Sequence, residues 1–178
     1  MNRTASIVLL AGILTASAAL ASSSNPPDFY LNTQGVVSCT ACHRGSEPNT
    51  GGGSVKIDGL PDQYTPGQKY TVTISIAHPG FHKWGFEAGA MDAEGKMAGA
   101  FISDNPTIDL KTSLGVTFVK QSFNGTAASS WTFVWKAPAS GQVKFDVQGL
   151  AANDSGNSVG DFTYTASKTM TPAATQAD

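Results

Sequence analysis

Two cysteines and a histidine lie within five consecutive residues of this 178-residue chain, at Cys39, Cys42 and His43. With the intervening Thr and Ala they form the pattern C-x-x-C-H, in which two thiols add to the vinyl groups of a haem and the histidine ligates the iron. Two residues between the cysteines place both sulfurs along one edge of the porphyrin. We therefore predict one haem c per chain, bound covalently by Cys39 and Cys42, with His43 as the proximal axial ligand.

A disulfide or a redox-active dithiol is the alternative use of Cys39 and Cys42, and an oxidising compartment outside the cytoplasm permits it. That interpretation leaves the adjacent His43 unexplained, and no βαβ pattern surrounds the motif as it does in a thioredoxin-like site. A zinc site needs four N, S or O ligands, whereas the chain has only two cysteines and three histidines. Haem attachment is therefore the preferred interpretation.

The second axial position of the iron is suited to another imidazole or a thioether. Four residues are candidates for it: His78, His82, Met91 and Met97. His78 continues the phase of a preceding apolar alternation and His82 follows in the next turn, so both rank above the methionines, which more often fill irregular packing. An iron with five ligands, or one completed by a neighbouring molecule, stays open.

The elements that position these residues begin with an export signal. Residues 1–21 combine a basic start, an apolar run and an Ala-Leu-Ala ending, which is typical of a signal peptide. We expect a periplasmic or extracellular protein without membrane insertion of the mature chain, because no later segment is long and apolar enough. Residues 22–53 are polar and rich in small residues, and are predicted to form a loop-rich arm that carries the haem motif. Residues 169–178 are predicted to be a disordered tail.

Residues 54–168 are predicted to form one all-β domain, an antiparallel sandwich or barrel. The clearest strand is residues 70–77, where apolar and polar side chains alternate. Turn residues separate this strand from the others, and no sustained 3.6-residue period is present, so we expect seven or eight strands. The other predicted strands are 54–57, 84–92, 99–103, 117–123, 130–136, 142–150 and 161–168. Trp131, Phe133 and Trp135 alternate on one strand and are assigned to the core.

Charge and motif content restrict the partners. The net charge of −2 gives no basic surface for nucleic acid or an anionic membrane. Arg44, the only arginine after the signal peptide, adjoins the proximal ligand instead of the distal side, which disfavours peroxidase chemistry. No catalytic triad or phosphate-binding loop is recognisable, so an electron carrier is preferred to an enzyme. The expected partner is a redox protein or a neighbouring haem protein, and self-assembly stays open.

Several short motifs, taken in order, resemble those of a known family. They are Cys39–His43, Gly59-Leu60-Pro61, Tyr64–Gln68 with Tyr70, Trp84–Glu87, Trp131–Phe133 with Trp135, Ala137-Pro138, Gly149–Asn153, Gly160-Asp161 and Tyr164-Thr165. The chain resembles secreted bacterial proteins with a Reeler-like β-sandwich, also called the choice-of-anchor V domain, many of which begin with a C-x-x-C-H segment. The resemblance covers approximately residues 39–168 and implies an immunoglobulin-like sandwich, but it implies little about activity.

Two functions follow as hypotheses. The first is an exported single-haem c-type cytochrome acting in electron transfer. The alternative is an extracellular interaction or adhesion module with a Cys39–Cys42 disulfide and no haem. The colour of the purified protein separates the two.

Overall fold

The computed structural model describes residues 39–174, and this part of the chain consists almost entirely of β-strands. The ten strands are β1 (Ser54–Asp58), β2 (Gln63–Tyr64), β3 (Lys69–Ala77), β4 (Lys83–Met91), β5 (Ala100–Ile102), β6 (Ile108–Ser113), β7 (Val116–Gln121), β8 (Ser130–Lys136), β9 (Val143–Ala152) and β10 (Phe162–Pro172). Two single-turn 3₁₀ segments, Cys39–Ala41 and Phe123–Gly125, complete the regular structure. Within these residues no helix has the length and apolarity to cross a membrane. The predicted signal peptide and the first part of the predicted arm lie outside the described residues.

The strands form two sheets packed face to face. One has four strands in the order β1-β3-β8-β5, and the other has six in the order β2-β10-β9-β4-β7-β6. This architecture confirms the predicted all-β sandwich. The short pair β2 and β10 runs parallel, whereas all other named pairs are antiparallel.

Alternating side chains build the core between the sheets. Trp131, Phe133 and Trp135 of β8 are no more than 3% exposed, as predicted. They lie opposite the apolar positions of β3, with Val72 facing Phe133 and Ile74 facing Trp131 in register. The indole N–H of Trp131 donates to a backbone carbonyl at 3.2 Å and that of Trp135 at 3.0 Å, so burial leaves neither donor unpaired. Each such side chain stabilises the fold by roughly 1.5–3 kcal/mol through burial.

The strands β2 and β6 are absent from the sequence prediction. Strand β2 has only two residues, too few to show a period. Strand β6 lies at the edge of its sheet and exposes four of its six side chains. The turn after it places Leu114 at φ 47°, a conformation that leucine rarely adopts. Neither strand therefore has the usual sequence signal, and the total is ten strands instead of seven or eight.

The predicted disordered tail of residues 169–178 is wrong for its first part. Strand β10 continues to Pro172, and Met170 is fully buried opposite Val143. The period-two burial of this strand persists into the Thr-rich segment because Met170 fills the core between polar neighbours. Residues 175–178 lie outside the described part.

Candidate haem site

The C-x-x-C-H segment forms a tight turn. The backbone N–H of His43 donates to the carbonyl of Cys39 at 2.9 Å, and that of Cys42 donates to the same oxygen at 3.3 Å. Both cysteines are free thiols, with no disulfide between them, and both are partly exposed. The three residues predicted to bind haem are thus held together in one turn.

This turn packs on the six-stranded sheet, on the face that points away from the core. In β9, Phe145 and Val147 enter the core, so Gln148 points to the opposite side, which we call the outward face. The backbone N–H of Cys39 donates to Oε1 of Gln148 at 2.9 Å. Gln148 lies opposite Glu87 of β4, and Glu87 lies opposite Lys120 of β7. A row of polar side chains therefore lies beside the first cysteine.

The thiol of Cys39 has an unreactive environment. Burial, followed by the nearby Glu87 carboxylate, raises the pKa of Cys39 to about 12. Redox-active Cys-x-x-Cys pairs depend on a cysteine whose pKa is lowered, because the thiolate is the nucleophile. The electrostatics of the folded site therefore argue against the dithiol redox alternative.

His43 is paired with a carboxylate that sequence reasoning did not assign to the site. Its Nδ1 lies 2.6 Å from Oδ2 of Asp161, and the Asp161 side chain is only 2% exposed. The second oxygen of Asp161 accepts the backbone N–H of Asn153 at 2.9 Å. Since Nδ1 is engaged, Nε2 is the ring nitrogen left for a metal, and it has no hydrogen-bond partner within residues 39–174.

The described part of the predicted arm, residues 39–53, is fastened to the sandwich. Arg44 and the loop before β10 exchange backbone hydrogen bonds, from Arg44 N to Ser158 O at 2.9 Å and from Gly160 N to Arg44 O at 3.2 Å. Further along, Asn49 N donates to Thr163 O at 2.9 Å. The segment is irregular, as expected, but it lies along the edge of β10 instead of projecting from the domain.

The loop of residues 153–160 uses its own polar groups to close turns. The side-chain oxygen of Asn153 accepts the N–H of Ser155, and that of Asn157 accepts the N–H of Val159. Throughout residues 39–174, no group of three or more His, Cys, Asp and Glu side chains is arranged to hold a metal ion. These oxygens therefore serve the loop that carries Asp161.

His78 lies on the other side of the sheet from the motif. Its ring stacks on Phe162 with a centroid distance of 4.4 Å and contacts the edge of Phe81 at 4.2 Å. Phe162 packs against the core, whereas Cys39 contacts the outward face. The six-stranded sheet thus separates His78 from the first haem-binding cysteine, and the structure places His78 in an aromatic cluster.

His82 lies at the same end of the sheet as His43. It is exposed and immediately precedes β4, whose first residue, Lys83, is paired with Ala152. The next residue along, Asn153, donates to Asp161, the partner of His43. His82 is therefore at the end of the sheet where the motif lies, and it is the exposed one of the two candidate distal histidines.

Met91 and Met97 lie at the opposite end of β4 and are paired with each other. Met91 is opposite Lys144, whereas Trp84 is opposite Ala151. Met91 lies seven residues beyond Trp84 along β4, which corresponds to about 23 Å. Met91 also packs in a small apolar cluster. The structure does not bring either methionine to the end of the sheet where His43 lies.

Comparison with known proteins gives a result at the level of fold. No protein-family model and no curated protein sequence matches the chain. The crystal structure of the Reelin-N domain of F-spondin is similar with a TM-score of 0.53 and 24% identity, over 76% of this chain and 95% of that one. The human F-spondin reeler domain (fragment 1) is similar with a TM-score of 0.51 and 24% identity, over 72% of this chain and 92% of that one.

A sequence identity of 24% supports a shared architecture and gives no information about activity. The two-sheet architecture and the two structural similarities support the Reeler-like fold that the sequence motifs imply, and they say nothing of the C-x-x-C-H segment. The chain has a Reeler-like β-sandwich fold.

Proposed function

We propose that this protein is an exported single-haem c-type cytochrome that acts in electron transfer. The observation that carries the proposal is the turn in which Cys39 and Cys42 remain free thiols beside His43, whose Nε2 is open. Haem c, when bound, supplies a one-electron couple between ferric and ferrous iron. Cys39 and Cys42 would anchor the group and His43 would be its proximal ligand.

Attachment of the haem would need no oxidant, because each S–H would add across one vinyl double bond, with sulfur on one carbon and hydrogen on the other. His43 would ligate the iron through Nε2, while its Nδ1 is held by Asp161. The sandwich contributes a rigid support, since the turn is bonded to β9 through Gln148.

Electron transfer is a better proposal than catalysis for this site. Arg44 is the only arginine in residues 39–174, and it follows the proximal histidine directly. A peroxidase-like distal arginine is therefore not available from this part of the chain. We propose a redox protein or another haem protein as the partner, in the periplasm or at the cell exterior, in keeping with the predicted signal peptide of residues 1–21.

The first prediction tests haem attachment. The full chain is produced in a bacterial host with cytochrome c maturation, and a pyridine haemochrome assay is combined with a reduced-minus-oxidised spectrum. We expect one haem c per chain in the wild type and none in the Cys39→Ala/Cys42→Ala variant, because thioether bonds require both thiols. A colourless wild type with a folded, β-rich circular dichroism spectrum would contradict the proposal.

The second candidate function is an extracellular interaction or adhesion module without haem. Its support is the Reeler-like fold, which is similar to that of the F-spondin domains. The Cys39–Cys42 disulfide expected for such a module is not formed in the structure. A colourless, folded wild type in the haem assay would leave this function as the better one.

A further inference from the structure

We infer that Asp161 is the positioning residue of the haem site, which fixes the ring of His43 and lowers the reduction potential of the bound iron. The inference deepens the proposed function and rests on it. It arises from a contact between two residues 118 positions apart in the sequence. Asp161 would not touch the iron, because it acts through the imidazole.

The contact between His43 and Asp161 is short and shielded. The Nδ1 to Oδ2 distance of 2.6 Å is below the usual 2.9 Å for an N–H···O bond, as expected when the acceptor is a carboxylate. The exposed fractions of the two side chains are 15% and 2%, so water competes little for either partner. A carboxylate accepts only, and the shared proton therefore lies on Nδ1. The ring is left with Nε2 as its electron-pair donor.

Asp161 is itself held in place by the loop that precedes it. Its Oδ1 accepts the N–H of Asn153, so both carboxylate oxygens are used. The adjacent Gly160 has φ 83° and donates to the carbonyl of Arg44, the residue after His43. A Cβ on Gly160 would lie 2.7 Å from the side-chain nitrogen of Asn153. The loop and the motif turn are therefore joined next to the His43–Asp161 pair.

This arrangement has a direct chemical consequence for a bound iron. Histidines that ligate metals donate their other ring N–H to an acceptor, which fixes the tautomer and raises the basicity of the ligand. An anionic acceptor strengthens this effect, and hydrogen bonding around the axial ligand is one of the means by which a protein sets the potential. Extra negative charge on the imidazole stabilises ferric iron relative to ferrous iron, so the potential falls.

The first test uses the holoprotein and the variant Asp161→Asn. The amide preserves the shape of the side chain but removes its charge, so we expect a positive shift of the midpoint potential in spectroelectrochemical titration, with one haem retained per chain. Asp154→Asn is the control, because it removes the same charge from an exposed position in the loop that precedes Asp161, away from His43. We expect its potential to equal that of the wild type. Equal potentials in all three proteins would overturn the inference.

The second test does not need haem and remains decisive if the Asp161→Asn holoprotein is unstable. In the Cys39→Ser/Cys42→Ser chain, ¹⁵N NMR at alkaline pH reports which nitrogen of the neutral His43 ring carries the proton. We expect Nδ1–H with Asp161 present and a shift towards Nε2–H in the Asp161→Asn chain, because hydrogen bonding selects the tautomer. An Nε2–H tautomer with Asp161 present would overturn the inference.

The two proposals fail in different ways. A colourless wild type whose His43 has the Nδ1–H tautomer removes the haem function and with it the redox role of Asp161, although the pair itself stands. A haem-bearing wild type whose potential is unchanged by Asp161→Asn removes only the role of Asp161.

Discussion

The three histidines of the chain have three different surroundings. His43 is paired with a buried carboxylate, His78 is stacked among aromatic rings, and His82 is exposed in a turn. The Nδ1 of His78 is bonded to the neighbouring Pro79 carbonyl, and its Nε2 is buried beside Gly51. The role of His78 is thus to pack between strands. His82 keeps its imidazole accessible at the end of the sheet where His43 lies.

This contrast predicts different effects of two alanine substitutions on the holoprotein. We expect His82→Ala to convert a low-spin visible spectrum to a high-spin one, because the distal imidazole is lost. The matched variant His78→Ala should keep the low-spin spectrum but lower the free energy of unfolding by about 1–2 kcal/mol through lost ring stacking. Visible spectra and urea unfolding measure the two effects.

The opposite result would make His78 the iron ligand and His82 a residue without contact to the iron. A spectral change with His78→Ala alone would mean that the sheet does not separate His78 from the iron. An unchanged spectrum in both variants would show that no histidine of the same chain is the sixth ligand.

The C-x-x-C-H motif proposed to bind haem is visible in the sequence, whereas the contacts that hold it in place are not. Cys39, Cys42 and His43 form a local pattern whose chemistry depends on spacing alone. Asp161 appears in the sequence only as a mark of resemblance, beside Gly160, because a contact over 118 residues depends on how β10 is placed. The stacking of His78 on Phe162 likewise depends on tertiary packing between residues distant in the sequence.

At the level of elements, the turn Gly51–Gly53 carries the chain from the motif segment to β1. Gly51 and Gly52 have nearly the same positive φ, 80° and 78°. A Cβ on Gly51 would lie 2.3 Å from the ring of Phe162, whereas a Cβ on Gly52 would meet no atom within 4 Å. The two positions therefore have nearly the same backbone conformation, but only Gly52 has room for a side chain.

This pair of glycines gives a controlled prediction. We expect Gly52→Ala to cost about 1 kcal/mol of unfolding free energy from the left-handed backbone alone. Gly51→Ala should cost a further 1–3 kcal/mol, because the methyl group must displace Phe162. Chemical denaturation measures the difference. Equal losses in the two variants would show that the turn does not pack closely on β10.

The strands with a buried face were predictable, and those without one were not. Residues 130–136 were predicted with the bounds that β8 has, since three aromatic residues alternate with polar ones and reach the core. Strand β6 carries charged and polar side chains on an edge, so its pattern resembles that of a loop. The pairing of β2 is set by its neighbour β10 and not by its own two residues.

At the scale of the whole molecule, the core lies between the two sheets and includes no residue of the motif. Trp131, Trp135 and Phe145 are buried in this core. The backbone N–H of Cys39, in contrast, donates to Gln148 on the outward face. Folding thus depends on apolar burial within the sandwich, in contrast to proteins whose core is built around a cofactor.

We therefore predict that the haem-free Cys39→Ala/Cys42→Ala chain folds cooperatively. Its thermal unfolding, followed by near-UV circular dichroism, should give a single sigmoidal transition, because the tryptophan environments are those of the intact core. The haem-bearing wild type is the comparison. Loss of the near-UV signal in the variant at low temperature would mean that the cofactor is needed to form the core.

The outer edge of β10 is covered near its two ends by two different parts of the chain. Strand β2 pairs with its C-terminal end, and the segment after the motif bonds to Thr163 and Thr165 near its start. An uncovered strand edge is a template for pairing with a second molecule and hence for aggregation. The segment that follows the C-x-x-C-H motif thus also shields part of this edge, so its detachment would disrupt the proposed haem site and expose unpaired strand backbone in the same event.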